Sequence, residues 1–349
     1  MFKKKLTILF SLLLLLFVLV ACTTENPIGN KTDNEKNNKA EEQGETTADT
    51  NGNPEDTGTI PIGDLQKKDQ GEQVELLQKS LNELGYNISV TGIFDEATTW
   101  AVTDFQLQHG DLMALGIYNE ETAKVLTDAI EKGEKLEAGA GLPFVAEPAA
   151  TDAGTPVIAN PYDQLALVNK EHALPAEYTP EDLVIPDVRF PFTEDLPKKQ
   201  MRKIAAQALE KLFHAADEAG LELYAQSGFR DYDTQVFLFA NYVSANGEEA
   251  ANKFSARPGE SEHQSGLAMD ITSVDVNYLL DTDFGDTDEG KWVKEHAAEF
   301  GFIIRYPEGK EEITQYQFEP WHLRFVGKKT AKEITDQGIT LEEYFSEIE

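Results

Sequence analysis

Two short stretches of this chain carry histidines and carboxylates at spacings that can do metal chemistry. The first, Arg257-Pro258-Gly259-Glu260-Ser261-Glu262-His263-Gln264-Ser265-Gly266-Leu267-Ala268-Met269-Asp270, sets His263 and Asp270 on either side of a glycine. The second, Glu319-Pro320-Trp321-His322-Leu323-Arg324-Phe325, adds another histidine with a carboxylate just ahead of it. Two imidazoles and one carboxylate are a usual ligand set for catalytic zinc, with a fourth position left for water. The predicted ligands are therefore His263, Asp270 and His322. Glu319 is placed to act as the general base.

Both stretches need elements that aim these side chains together. A strand over 267–272 would turn Leu267, Met269 and Ile271 into a core and leave Ala268 and Asp270 on the opposite face. A strand after Pro320 would likewise bury Trp321, Leu323 and Phe325 and turn His322 and Arg324 the other way. Gly266 lets the chain turn so that His263 folds back towards Asp270.

Taken together, Ser261-x-His263-x-x-Gly266-x-Ala268-x-Asp270 and Glu319-x-Trp321-His322 resemble the signature of the VanY-type D-alanyl-D-alanine carboxypeptidases, zinc enzymes of bacterial wall metabolism. The likeness runs over roughly 165–345. It includes Leu167-Val168-Asn169-Lys170, Ser227-Gly228-Phe229-Arg230 with Gln235, and Gly301-Phe302-Ile303-Ile304-Arg305-Tyr306-Pro307. One departure is Gln315, where the family commonly has glycine between threonine and tyrosine. The resemblance implies a bound Zn2+, peptidoglycan stem peptides as substrate, and removal of their C-terminal D-alanine. An enzyme that trims chain ends must recognise a free carboxylate, and Arg230 is the first candidate because a guanidinium pairs with it through two parallel hydrogen bonds. By resemblance, Ser261 and Gln235 help to hold the same end. Arg257 is either a further contact or a solvated residue in a turn. An L,D-specific enzyme acting on tetrapeptide stems shares these motifs. A non-catalytic wall-binding lipoprotein is the other alternative, and the intact set of ligands and base argues against it.

The rest of the chain reads as delivery. Lys3, Lys4 and Lys5 precede an apolar run from Leu6 to Ala21, short for a membrane span, that ends in Leu19-Val20-Ala21-Cys22. This resembles a bacterial lipoprotein cleavage box. Cys22 is the only cysteine, so disulfides are excluded and lipidation gives it a reason to be there. Residues 1–22 are thus expected to be a lipoprotein signal peptide, with the mature protein held by acyl chains on the outer face of the membrane and associated with the wall. Residues 23–66, polar and without an aromatic, read as a disordered tether with a reach of roughly 36 Å.

From Gln73 the apolar spacing is helical, and Gly92-Ile93-Phe94-Asp95-Glu96-Ala97-Thr98 is echoed by Gly116-Ile117-Tyr118-Asn119-Glu120-Glu121-Thr122, each a turn followed by a helix cap. This resembles a small three-helix peptidoglycan-binding domain over 67–133, the alternative being a spacer without affinity. Residues 134–160, rich in Ala, Gly and Pro, read as a second linker. The catalytic domain is placed at 161–349. Helices are expected over 198–219, 232–246 and 288–300, and strands over 221–226, 267–272 and 302–306. The expected fold is therefore an α+β domain with a central antiparallel sheet and flanking helices. With 30 basic against 63 acidic residues the formal charge is −33, which excludes sequence-independent nucleic-acid binding. A monomer is expected.

Overall fold

The computed structural model describes residues 60–143 and 149–346. The expected signal segment, Cys22 and residues 23–59 of the expected tether lie outside them.

Three helices come first: α1 (Glu72–Leu84), α2 (Glu96–Gln108) and α3 (Glu120–Glu131). The two echoed turns make them possible. Asp95 and Asn119 cap α2 and α3 by accepting hydrogen bonds from the amides of Thr98 and Thr122, each at 2.9 Å, a contact typically worth about 1 kcal/mol. Val74, Leu77, Leu81, Phe94, Val102, Phe105 and Leu126 fill their shared core. The unit begins before residue 67, because Leu65 exchanges backbone hydrogen bonds with Tyr118.

The second body contains β1 (Leu183–Val184), β2 (Met201–Arg202), α4 (Lys203–Glu218), β3 (Tyr224–Ser227), α5 (Tyr232–Asn246), α6 (Glu248–Ala251), β4 (Ala268–Thr272), α7 (Asp288–His296), β5 (Phe302–Tyr306), α8 (Glu311–Thr314), β6 (Glu319–Phe325), α9 (Lys328–Gln337) and α10 (Leu341–Ser346). Four strands form one antiparallel sheet in the order β3-β4-β6-β5. Alternation along the two central strands divides it into an apolar and a polar face. Leu267, Met269, Ile271, Trp321, Leu323 and Phe325 join Leu209, Leu212 and Phe213 of α4 in the main core. Asp270, His322 and Arg324 are left on the other face, together with the function.

Two local departures from the expected elements have physical reasons. The helix expected from Lys198 begins at Lys203, because 197–199 form a 3-10 turn and β2 pairs with β1 before the helix can start. The expected linker at 134–160 is held along its described parts by backbone and side-chain contacts. Asp104 accepts from the amides of Gly139, Gly141 and Leu142, the amide of Val157 donates to Ala149, and Val157 pairs in parallel with Ala173. Thr155 then reaches Glu260 inside the first metal motif, at 2.6 Å.

Candidate active site and metal centre

Strand register brings two of the predicted ligands face to face. Asp270 on β4 lies directly opposite His322 on β6, and Ala268 lies opposite Arg324, so their side chains emerge a few ångströms apart on the same face. His263 arrives from the 3-10 turn 262–265. Gly266, at φ 69°, turns the chain from there into β4. A Cβ at Gly266 would also fall 2.9 Å from Cγ of Arg202, so glycine is required twice over.

The three side chains are buried, and one ligand atom from each lies within 4.8 Å of the others. His263 Nε2 is 3.3 Å from Asp270 Oδ2, and His322 Nδ1 is 2.8 Å from Asp270 Oδ1. Tetrahedral zinc with bonds of about 2.0–2.1 Å sets ligand atoms about 3.4 Å apart, so the set needs only a small opening to accept it. Each imidazole is oriented through its other nitrogen. His263 Nδ1 lies 2.8 Å from the carbonyl of Gly228, and His322 Nε2 lies 3.3 Å from Glu262 Oε2. Such outer contacts fix the tautomer and ring plane that a metal needs. The donor chemistry, the convergence and the oriented rings all fit zinc.

Glu262 was not singled out from the sequence, yet much of the polar face is built on it. Fully buried, it accepts from Arg305 Nε and Arg324 Nη1, both at 2.7 Å, besides facing His322. Burial acts to raise its pKa, but the two guanidiniums outweigh this and hold the carboxyl well below the usual range. Arg305 is held in turn by Glu342 at 2.6 Å. The available signal was Arg324 on the same strand face as His322, since a buried guanidinium requires a carboxylate.

Charge states follow from these contacts. Burial depresses the pKa of His263, which stays neutral as a ligand should. For His322 burial acts the same way, but hydrogen bonds to Asp270 and Glu262 prevail and raise its pKa to about 9. The metal-free site therefore holds a proton on His322 at neutral pH, and a metal must displace it. Zinc uptake at pH 7 should release close to one proton, and apparent affinity should rise roughly tenfold per pH unit up to about pH 9. Calorimetry in buffers of different ionisation enthalpy measures the release; a heat independent of buffer would contradict it.

Glu319 opens β6 and is 9% exposed. Burial raises its carboxyl to about 7, with the charge of His322 opposing. A base poised near neutrality is what proton transfer at the cleft calls for. Arg230 follows β3, and its Nη1 donates to Gln235 Oε1 at 2.6 Å, while Gln235 Nε2 donates to the carbonyl of Ala256 at 2.6 Å. Among the described residues Arg230 has no carboxylate within salt-bridge distance, so its charge is open to an anion. Ser261 is buried where it opens the turn carrying His263.

Other candidates settle elsewhere. Arg257 pairs with Glu248 at 3.1 Å, and His296 pairs with Glu299 at 2.8 Å on the exposed side of α7. Gln315 adopts the left-handed conformation, φ 62°, that glycine would take more easily. Its carbonyl accepts from Lys170 at 2.6 Å and its side chain donates to Glu171 at 2.8 Å, contacts that compensate for the strain.

Known proteins resemble this chain. The family described as VanY: D-alanyl-D-alanine carboxypeptidase matches residues 198–328, and the family described as "Putative peptidoglycan binding domain" matches residues 70–126. "Putative carboxypeptidase YodJ" of Bacillus subtilis (strain 168) is 55% identical over 195 residues, which cover 56% of this chain and 71% of that protein. The chain belongs to the VanY carboxypeptidase family. Another VanY relative, the bifunctional D-Ala-D-Ala dipeptidase and D-Ala-D-Ala carboxypeptidase VanXYC of Enterococcus gallinarum, is 34% identical over 52% of this chain and 92% of its own length. Among solved structures, the LdcB LD-carboxypeptidase superposes with a TM-score of 0.56 at 54% identity, covering 58% of this chain and 94% of that one. The chain is thus a carboxypeptidase acting on peptidoglycan, with a peptidoglycan-binding domain ahead of its catalytic domain.

Proposed function

We propose that the protein is a zinc-dependent carboxypeptidase that removes the C-terminal D-alanine from peptidoglycan stem peptides. The observation that carries this reading is the buried convergence of His263, Asp270 and His322 beside a buried Glu319. The three ligands would hold the ion, which when bound supplies a Lewis acid and lowers the pKa of water. Glu319 takes a proton from the attacking water and returns it to the departing amine. Arg230, aimed by Gln235, holds the terminal carboxylate, helped by Ser261 as the family resemblance implies, and so fixes which amide lies over the base. Asp270 balances the charge between the imidazoles.

Of the two bonds that release a terminal D-alanine, the L,D bond of a tetrapeptide stem is the first choice. The support is 54% identity to an LD-carboxypeptidase against 34% to the bifunctional D-Ala-D-Ala enzyme. The D,D bond of a pentapeptide is the second reading, supported by the family the chain belongs to. Purified protein incubated with a mixture of pentapeptide and tetrapeptide muropeptides tests this by mass spectrometry. Accumulation of tripeptide from tetrapeptide, with pentapeptide persisting, is expected. Accumulation of tetrapeptide would reverse the order of the two bonds.

Delivery completes the proposal. In this reading lipidation at Cys22, the tether expected over 23–66 and the wall-binding domain ahead of the enzyme support a monomeric enzyme held outside the membrane within reach of the wall.

A further inference from the structure

The turn joining α2 and α3 is hydrogen-bonded to Arg202 and Gln164 of the catalytic body, and these in turn are bonded to the segments that carry the candidate ligands. The turn between α2 and α3 points two backbone carbonyls, of Ala114 and Leu115, into the catalytic body, and each begins a hydrogen-bonded path. In the first, Arg202 Nη2 donates to the carbonyl of Ala114 at 2.7 Å. The same guanidinium is held by the carbonyl of Tyr162 at 2.8 Å and by Asp182 at 2.9 Å. The backbone amide of Arg202 then donates to the carbonyl of Gly266 at 2.8 Å, and Gly266 donates to the carbonyl of His263. Arg202 also packs its Cγ where a Cβ on Gly266 would stand. It is 2% exposed, a large charged side chain spent wholly on this junction.

In the second path, the amide of Gln164 donates to the carbonyl of Leu115 at 2.9 Å. The carbonyl of Gln164 accepts from Arg324 Nη2 at 3.0 Å. Arg324 Nη1 donates to Glu262, and Glu262 faces His322 Nε2. Lys67 clamps the junction from a third point, with Nζ 2.7 Å from Asp163 Oδ2.

We propose that the wall-binding domain is a positioning element of the active site, acting through Arg202 on the His263 turn and through Gln164 and Arg324 on His322. Neither carbonyl touches substrate or metal, so both paths act by orientation. Outer contacts to metal-binding histidines commonly set affinity or activity by 10–100-fold, and buried polar networks of this kind lose much of their value when one member is released. The inference rests on the metal reading above and extends it to a domain whose expected work is adhesion.

Two full-chain variants test it. Arg202→Lys keeps a charge for Asp182 but loses the planar fork that reaches Ala114 and Tyr162. Lys67→Met loosens the junction from the side of the small domain and touches neither path. Three quantities are read: affinity for zinc alone, by competition with a chromophoric chelator; amide exchange over 262–267; and kcat on a soluble stem peptide. The expected result for Arg202→Lys is zinc affinity weaker by about tenfold or more, faster exchange over 262–267, and lower kcat. Lys67→Met should move all three in the same direction by a smaller factor. Wild-type affinity and exchange in both variants would overturn the inference. If Arg202→Lys does not fold, Lys67→Met decides alone. A wild type that binds no zinc would sink the metal reading instead, while exchange over 262–267 still tests the mechanical link.

Discussion

Replacing Glu319 with glutamine is expected to lower kcat by about 10²–10⁴-fold while zinc content, fold and wall binding stay normal. The substitution preserves size and removes one function, the capacity to take and return a proton. Glu319 stands at the start of β6, three residues before His322, and Tyr306 on β5 pairs with it. Its position is therefore fixed by the strand that carries His322, and its charge is governed by burial. A general base should show this signature. A ligand would instead lose metal on substitution, so elemental analysis of the variant separates the two roles. Loss of zinc together with activity would move Glu319 into the metal-binding set.

The second large effect is on stability. Glu262→Gln should destabilise the fold at neutral pH by about 3–5 kcal/mol, because it strips the carboxylate from the fully buried Arg324 and leaves the buried Arg305 with Glu342 alone. Thermal or urea unfolding measures it. The sign of the pH dependence follows from the depressed carboxyl. Its stabilisation is complete above the ordinary value of 4.5 and is lost as pH falls towards its folded value. The wild-type advantage over the variant should therefore shrink in acid. An advantage that grows on acidification would mean that Glu262 is not the countercharge of Arg305 and Arg324.

The difference between Glu319 and Glu262 shows what the sequence could reveal. Glu319, His322 and Asp270 lie on or beside strands whose alternation is complete, so the face each side chain takes can be read residue by residue. Which residues stand opposite one another is set by the register between β4 and β6, and no local pattern encodes that. Glu262 lies in a 3-10 turn with no periodicity, and its partners Arg305 and Arg324 are 43 and 62 residues away. Residues 134–160 differ for another reason. An Ala, Gly and Pro-rich segment has no apolar period, and what holds its described residues is Asp104 accepting backbone amides and the pairing of Val157 with Ala173. The helix capped by Asp95 and the one capped by Asn119 were legible because capping is local.

Zinc and a base would together hydrolyse any amide that reached them, so the restriction to a chain end must come from a fixed cation. We propose Arg230 as that cation. It is tied to Gln235, has no carboxylate partner among the described residues, and sits in a chain of net charge −33 where such a charge is scarce. The most direct measurement compares a stem peptide ending in a free D-alanine with the same peptide amidated at its C-terminus. Release of D-alanine from the free peptide, with the amide turned over at least about 10²-fold more slowly, is the predicted result, since misplacing the scissile bond by about an ångström costs that much. Equal cleavage of the two peptides would contradict the account and make the enzyme an endopeptidase.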